Sequence, residues 1–251
     1  MRASLIVASA LLAIAPHASA EAPHHGHWAY EGSDGPSHWA QLDPAYRTCE
    51  AGHRQSPIDI YKKDASPRKL PALVFQYRAS PIDIIDNGHT VQVNYAPGSA
   101  LVIGGIRYEL VQFHFHHPSE EAIDGKRFDM VAHLVHRNKK GELAVVAIPL
   151  KEGRANPLIA ALWSSLPKKG DHSEARSRTP INVADLLPVD HRYYSFDGSL
   201  TTPPCSEHVR WSVLEAPMEV SKAQIASFAE RYPNNARPVQ PLNGRQVLVS
   251  K

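Results

Sequence analysis

Residues 111–120 read VQFHFHHPSE, and the alternation of histidine with phenylalanine in this stretch predicts a β-strand. Residues two positions apart on a strand share a face. His114 and His116 are therefore expected to point to one side of a sheet, with Phe113 and Phe115 on the other. The stretch predicts a strand that is apolar on one face and carries two imidazoles on the opposite face.

A second predicted strand, residues 128–136, contains His133 and follows a turn at Asp124-Gly125. A hairpin of this size would place His133 beside the first two histidines. Three neutral imidazoles on a rigid sheet suit Zn²⁺, and a three-histidine site leaves one coordination position for water, as catalytic zinc requires. The alternative is that these are ordinary hydrogen-bonded histidines, since the chain has 15.

Four further stretches make the pattern specific. They are HWAY at 27–30, QSPIDI at 55–60, GSLTTPPC at 198–205 and RPVQP at 237–241. Together with the histidine strand, they resemble the α-carbonic anhydrases, in particular the exported bacterial type. The resemblance covers nearly the whole chain after residue 20. It implies a large, twisted, mostly antiparallel central β-sheet with a few short peripheral helices.

The element order leads to the same fold class. Many predicted strands precede a few late helices, which indicates one α+β domain over residues 21–251. Predicted strands outside the histidine hairpin cover 55–60, 73–77, 90–95, 101–111, 143–150, 191–196 and 208–214. Asn156-Pro157 predicts the start of a helix to 166, a capping box at Ser221 and Gln224 opens another to Arg231, and residues 182–187 predict a helical turn. Residues 64–71 and 168–180 are predicted loops.

Bulk properties exclude several classes of function. The formal net charge is +2, and 43% of the 251 residues are hydrophobic. This composition is typical of a globular domain and gives no reason to expect binding to nucleic acid or to an anionic membrane.

The first 20 residues read as a secretory signal peptide. Arg2 precedes an apolar run over residues 5–15, and Ala18-Ser19-Ala20 is a small-residue cleavage pattern. The apolar run is too short to span a membrane. We therefore expect cleavage after Ala20 and a soluble, exported protein, with the bacterial periplasm as its compartment.

Two cysteines, Cys49 and Cys205, are present. An oxidising compartment would join them in a disulfide, and the alternative is two buried free thiols. Because Cys205 follows the 198–205 motif, the disulfide would also brace a loop of the predicted active site.

The resemblance implies a zinc enzyme that reversibly hydrates CO₂ to bicarbonate and a proton, by attack of zinc-bound hydroxide. It assigns one Zn²⁺ to His114, His116 and His133. Thr201 would accept a hydrogen bond from the nucleophile and donate its own proton to Glu120. The residues matched to the CO₂ pocket are Val135, Val145, Leu200, Val209 and Trp211, with Thr202 and Gln112 on its polar side.

The resemblance also implies a route for the released proton. His89 matches the family's proton shuttle, and an exposed histidine with an ordinary pKa near 6.5 can exchange protons with buffer. Tyr30, Asn87 and Gln92 match the positions that order a chain of water. The alternative for His89 is an ordinary surface histidine beside the Asn87-Gly88 turn.

Three positions depart from the family pattern. Glu121 stands where the family usually has His, Val131 where it usually has Glu, and Phe196 where it usually has Tyr. One hypothesis is that the hydrogen-bonded cluster behind His133 has been rearranged as a unit, with the carboxylate moved from position 131 to Glu121. The rival hypothesis is that the carboxylate has simply been lost, which typically weakens metal affinity or activity about 10–100-fold.

Two other functions compete with CO₂ hydration. One is a binding module on the same fold that has lost the chemistry, although all three predicted ligands are present. The other is a zinc esterase or other hydrolase, and esterase activity would also fit as a secondary activity, because the same nucleophile attacks activated esters. The sequence leaves open whether the protein is a monomer or a homodimer.

Overall fold

β-strands are the main regular secondary structure of this chain, and apolar residues form the interior faces of the central strands. The computed structural model describes residues 26–169 and 173–251. The predicted signal peptide, together with His24 and His25, lies outside the described residues. In chain order the strands are β1 (Asp59–Ile60), β2 (Ser66–Arg68), β3 (Leu73–Gln76), β4 (Ser80–Asp86), β5 (Val91–Asn94), β6 (Ala100–Ile103), β7 (Ile106–His116), β8 (Ala122–Ile123), β9 (Lys126–Arg127), β10 (Met130–Arg137), β11 (Leu143–Glu152), β12 (Ser173–Ile181), β13 (Tyr193–Ser199), β14 (Glu207–Leu214), β15 (Met218–Val220) and β16 (Leu248–Ser250).

Within the described residues, thirteen strands form one mixed sheet. Its main path runs β12-β4-β5-β7-β10-β11-β14-β13-β16-β2, and β3, β6 and β15 pair beside this path. β1, β8 and β9 form a second, small sheet. Most pairs are antiparallel, and the parallel pairs are β1–β8, β11–β14, β11–β15 and β16–β2. The predicted fold class, a single α+β domain on a large and mostly antiparallel sheet, is confirmed.

The centre of the sheet is the antiparallel pair β7–β10. Its register places His133 opposite His114, and Val131 opposite His116. β5 flanks β7 on the other side, where Gln92 lies opposite His114. The predicted hairpin geometry is therefore confirmed, and the histidine face of β7 continues directly into β10.

The two faces of these central strands pack against different surroundings. Phe113, Phe115 and Leu134 are fully buried in a large apolar cluster on one face. The opposite face carries the three histidines and a second, smaller apolar cluster that includes Val145 and Trp211. Burial of one face fixes the register, because a shift of one residue would exchange the two faces.

The helices are short and lie outside the sheet. They are α1 (Trp39–Leu42), α2 (Thr48–Ala51), α3 (Pro157–Ser164) and α4 (Lys222–Arg231), with 3₁₀ turns at Gly32–Asp34, Pro44–Tyr46, Lys62–Asp64 and Val183–Leu186. The side chain of Asn156 caps α3 by accepting from the amides of Leu158 and Ile159. The predicted capping box of α4 is complete, and both predicted helix starts are confirmed. None of the helices in the described part of the chain is long and apolar enough to cross a membrane.

Four predictions from the sequence need correction. The predicted loop 168–180 contains most of β12, which pairs with β4 at the sheet edge. The predicted loop 64–71 contains β2, which pairs with β16. The predicted strand 101–111 is divided between β6 and β7 by Gly104 and Gly105, both with positive φ, and only residues 59–60 of the predicted strand 55–60 are extended strand. β2 and β12 expose most side chains, so main-chain pairing rather than a buried face holds them.

The predicted disulfide between Cys49 and Cys205 is confirmed, and their Cα atoms are 4.9 Å apart. The bond joins residues 156 positions apart in the chain. Closing a loop of this length stabilises the folded state by about 5 kcal/mol on the chain-entropy model.

Candidate metal centre

The structure brings the three predicted ligands together. One nitrogen from each of His114, His116 and His133 lies within 4.8 Å of the others, and the ring centroids are 4.7 to 5.5 Å apart. His116 and His133 are each 1% exposed. The strand alternation that places Phe113 and Phe115 in the apolar core therefore also aims three imidazoles at one point.

The outward nitrogen of each ring has a hydrogen-bond acceptor. Nδ1 of His114 donates to Oε1 of Gln112 over 2.8 Å, and Nδ1 of His116 donates to the carbonyl oxygen of Asn235 over 2.7 Å. Nε2 of His133 lies 3.1 Å from Oε1 of Glu121. These contacts fix the tautomers, so the inward nitrogens of all three rings carry lone pairs.

Burial and charge act differently on the three rings. Burial lowers the pKa of His114 to about 3 and the pKa of His116 well below its ordinary value. Burial also opposes protonation of His133, but the carboxylates of Glu121 and Glu120 outweigh it and raise the pKa of this ring. His114 and His116 are thus held in the neutral form that binds metal.

Glu120 lies directly behind the ligands and is fully buried. Its Oε1 accepts from the main-chain amide of Arg237 over 2.9 Å, whereas Oε2 is 3.5 Å from Nε2 of His116 and 3.8 Å from Nδ1 of His133. Burial raises the pKa of Glu120 to about 7, against the lowering effects of His133 and the Thr201 hydroxyl. Thr201, which the motifs place far from Glu120 in sequence, is therefore close enough to act on the pKa of this carboxyl.

An apolar niche adjoins the histidines. The five residues predicted for it belong to one cluster, in which Val145, Val209 and Trp211 are buried and Val135 and Leu200 are partly buried. The Trp211 ring lies 5.0 Å from the His133 ring, edge to face. Thr202 is half-buried, and its carbonyl accepts from the amide of Cys205 over 2.8 Å.

His89 lies in the turn between β4 and β5, beside an aromatic group from the N-terminal segment. Its ring stacks on Trp28 with centroids 3.6 Å apart and planes 10° apart, and Tyr30 lies 6.5 Å away. Asn87 uses its side-chain oxygen to accept from the amides of His89 and Thr90. Gln92 donates to Oδ1 of Asn94 over 2.8 Å.

The burial of Tyr30 and the negative charge of Glu120 raise the pKa of the Tyr30 phenol well above its ordinary value. The phenol is therefore protonated at neutral pH and can donate a hydrogen bond.

Sequence reasoning assigned no role to Asn235 and Arg237. Asn235 accepts from His116 through its carbonyl, and its side-chain amide donates to the carbonyls of His89 and Phe115. Arg237 holds Glu120 through its amide, while its buried guanidinium donates to Gln55 and to the carbonyls of Ser56 and Cys49. A residue that acts through its main chain leaves no pattern in the sequence. The motif at 237–241 indicated that this segment belongs to the family pattern, but it did not indicate these contacts.

The donor set fits Zn²⁺. Nε2 of His116 and Oε2 of Glu120 are buried polar atoms with no hydrogen-bond partner in the described part of the chain. Neutral imidazole nitrogens are ligands that zinc prefers, and a dication would offset the two adjacent carboxylates, Glu120 and Glu121. These observations support a metal ion at the centre of the three rings.

The large mixed sheet brings three histidines together beside an apolar niche, an arrangement suited to a metal-dependent enzyme. The sequence model described as eukaryotic-type carbonic anhydrase matches residues 34–251. The chain belongs to this family of lyases.

Individual relatives agree with this assignment. The chain is 46% identical over 224 residues to a carbonic anhydrase of Nostoc sp., covering 88% of this chain and 85% of that protein. It is 45% identical to a carbonic anhydrase of Pectobacterium carotovorum, covering 92% and 93% of the two chains. The solved α-carbonic anhydrase of Thermovibrio ammonificans in complex with the inhibitor sulfanilamide has a TM-score of 0.86 and 40% identity, covering 90% of this chain and 99% of that one.

Proposed function

We propose that this chain binds one Zn²⁺ through His114, His116 and His133 and interconverts CO₂ and water with bicarbonate and a proton. The observation that carries the proposal is the convergence of three imidazoles whose outward nitrogens all have acceptors. Their inward nitrogens are left free to bind a metal. When bound, zinc supplies a Lewis acid that generates a nucleophile from water near neutral pH.

Glu120 and Thr201 orient that nucleophile. Oε1 of Glu120 is already used by the Arg237 amide, so Oε2 is available to the Thr201 hydroxyl. A hydroxyl that donates to a carboxylate can only accept from its other neighbour. Thr201 therefore selects a nucleophile that still carries a proton and holds it at a fixed angle to the substrate.

The apolar niche receives CO₂. Trp211, Val209 and Val145 are at most 3% exposed, so water is excluded from their side of the histidines. CO₂ has no net dipole and loses little by leaving water, whereas bicarbonate is charged and is poorly stabilised against an apolar wall. Thr202 and Gln112 supply the polar edge along which the product leaves.

His89 carries the proton away from the site. It is half-buried beside Trp28, and an imidazole exchanges protons readily near pH 7. Tyr30, Asn87 and Gln92 are the polar residues that would order water along this route.

The protein acts in the periplasm, as residues 21–251 after removal of the signal peptide. The Cys49–Cys205 disulfide supports this location, because such bonds persist in oxidising compartments. A secondary esterase activity stays a prediction. Assembly into a homodimer is the alternative to a monomer.

Stopped-flow measurement of CO₂ hydration tests the proposal. Chelator-treated protein should be inactive, one equivalent of Zn²⁺ per chain should restore activity, and sulfanilamide should inhibit the restored enzyme. Zinc-loaded protein that does not hydrate CO₂ would contradict the proposal and favour a binding module. Activity that persists without metal would contradict it equally.

For the proton route, the His89→Ala variant should lose turnover in weak buffer and regain it when imidazole is added. Turnover that equals the unsubstituted enzyme's in weak buffer would exclude His89 from the route.

A further inference from the structure

The segment after β7 holds Glu121 in a fixed position. Glu121 is 3% exposed, and its carbonyl accepts from Oγ of Ser119 over 2.8 Å. The same hydroxyl oxygen accepts from the amide of Phe128 over 2.9 Å, and the next residue, Ala122, begins β8. The main chain on both sides of Glu121 is therefore anchored, which leaves its side chain little freedom.

The Glu121 carboxylate is directed at one ligand. Its two oxygens lie 3.1 and 3.3 Å from Nε2 of His133. Over residues 26–169 and 173–251, His133 is the one hydrogen-bond partner of this carboxylate. A buried carboxylate with a single partner would be expensive for a fold to retain for stability alone.

Apolar side chains also pack around His133. Val131, two residues earlier on β10 and on the same face, is 1% exposed. Val131 belongs to the apolar cluster that contains Phe196 and Trp211, whose rings are parallel to within 4° with centroids 6.0 Å apart. Neither Val131 nor Phe196 can accept a hydrogen bond from His133, so the loop residue Glu121 is the acceptor instead.

We infer that Glu121 is the positioning residue of the metal centre: its carboxylate holds the proton of His133 on Nε2 and turns the Nδ1 lone pair toward the metal. The inference rests on the proposed function. A carboxylate behind a ligating histidine fixes the ring and increases its basicity toward the metal. In this chain the carboxylate comes from the loop between β7 and β8.

Metal affinity measured by competition with a chelator tests the inference without relying on turnover. Glu121→Gln keeps the shape of the side chain and removes its charge, and Glu121→Ala removes the acceptor. We expect both to bind Zn²⁺ and Co²⁺ about 10–100-fold more weakly than the unsubstituted chain, with Glu121→Ala the weaker. Affinities within twofold of the unsubstituted chain for both variants would overturn the inference.

Asp86→Asn is the matched control. Asp86 is also a buried carboxylate, 1% exposed, but its hydrogen-bond partners among the described residues are Gly88, Arg231 and Tyr232 rather than a predicted ligand. This variant should be less stable and should keep its metal affinity. Equal losses of affinity in the Asp86 and Glu121 variants would show that any buried charge change has this effect, which would also overturn the inference.

Nitrogen NMR of the imidazoles in metal-free protein provides a second readout, which also applies if Glu121→Ala fails to fold. The Nε2 proton of His133 should be strongly deshielded in the unsubstituted chain and should move upfield in Glu121→Gln. An unchanged resonance would contradict the contact. If the unsubstituted chain neither binds zinc nor hydrates CO₂, the proposed function fails. If the unsubstituted chain does both, and the Glu121 variants bind zinc as tightly as it does, this inference alone fails.

Discussion

The two sides of the metal centre are built on different chemistry. On the β7 side, His114 and His116 donate to neutral oxygens, an amide of Gln112 and the carbonyl of Asn235. On the β10 side, His133 faces the carboxylate of Glu121. The pKa follows this division, because burial lowers it for the first two rings and carboxylates raise it for the third.

The difference means that all three rings are held in place, while the electron density that each ring offers to a metal differs. Neutral acceptors fix a ring without changing its charge, whereas a carboxylate also increases the electron density that the ring offers to a metal. His133 is therefore expected to be the strongest donor of the three. Its acceptor comes from a loop, so the strength of the metal centre depends on a segment outside the β7–β10 pair.

The largest effect should come from removing a ligand. If a binding free energy of about 12 kcal/mol is shared by three histidines, each contributes about 4 kcal/mol, or roughly a 10³-fold change in affinity. His114→Ala and His133→Ala should both lose this much, measured by chelator competition. His117→Ala should lose nothing, because Nδ1 of His117 contacts the carbonyl of Pro233 rather than the site. Retention of affinity in either ligand variant would remove that histidine from the metal centre.

His136 is a buried histidine that lies outside the cluster of three. His136, also on β10, has the hydroxyl of Tyr77 at 2.7 Å from Nε2 and the carbonyl of Ala144 at 3.2 Å from Nδ1. With neutral partners only, burial lowers its pKa to about 4. In the unfolded chain this residue has its ordinary pKa near 6.5. Between about pH 4 and pH 6.5 the unfolded chain therefore binds one more proton than the folded chain.

The His136 contribution to stability is therefore complete above pH 6.5 and is lost as pH falls toward 4. The loss should reach about 3 kcal/mol. The free energy of unfolding of metal-free protein can be measured with denaturant at pH 7 and pH 4. Between these two pH values it should fall by about 3 kcal/mol less in His136→Gln, which does not titrate, than in the unsubstituted chain. Equal acid losses in the two proteins would mean that neutral partners do not keep a buried ring uncharged in this sheet.

The smallest effect should come from the neutral acceptor on the β7 side. Gln112→Ala removes one neutral hydrogen bond to His114, worth about 1 kcal/mol, so metal affinity should fall only about fivefold. A loss in Gln112→Ala as large as that in Glu121→Ala would eliminate the distinction between the two sides. Chelator competition under identical buffer and pH compares the two variants directly.

Much of this architecture follows from local patterns. The alternation around His114 predicts the strand and its two faces, and the position of His133 in the next strand predicts the hairpin. The capping residues Asn156 and Ser221 predict where α3 and α4 begin. In each case the residues that carry the information are neighbours in sequence, or two to four positions apart. Their pattern can therefore be recognised without knowledge of the tertiary fold.

The features that the sequence did not predict depend on distant partners. β12 exposes most of its side chains and exists because its main chain pairs with β4. Asn235 serves His116 through a main-chain carbonyl 119 positions away in the chain. The contact between Glu121 and His133 could be proposed from the three departures from the family pattern, whereas the amide of Arg237 on Glu120 could not.

Anomalous diffraction at the zinc absorption edge, from crystals of the zinc-loaded protein, would show where the metal binds. We expect one strong peak per chain, bounded by Nε2 of His114, Nε2 of His116 and Nδ1 of His133. A map with no peak between these rings, or with zinc only at surface histidines, would contradict this expectation.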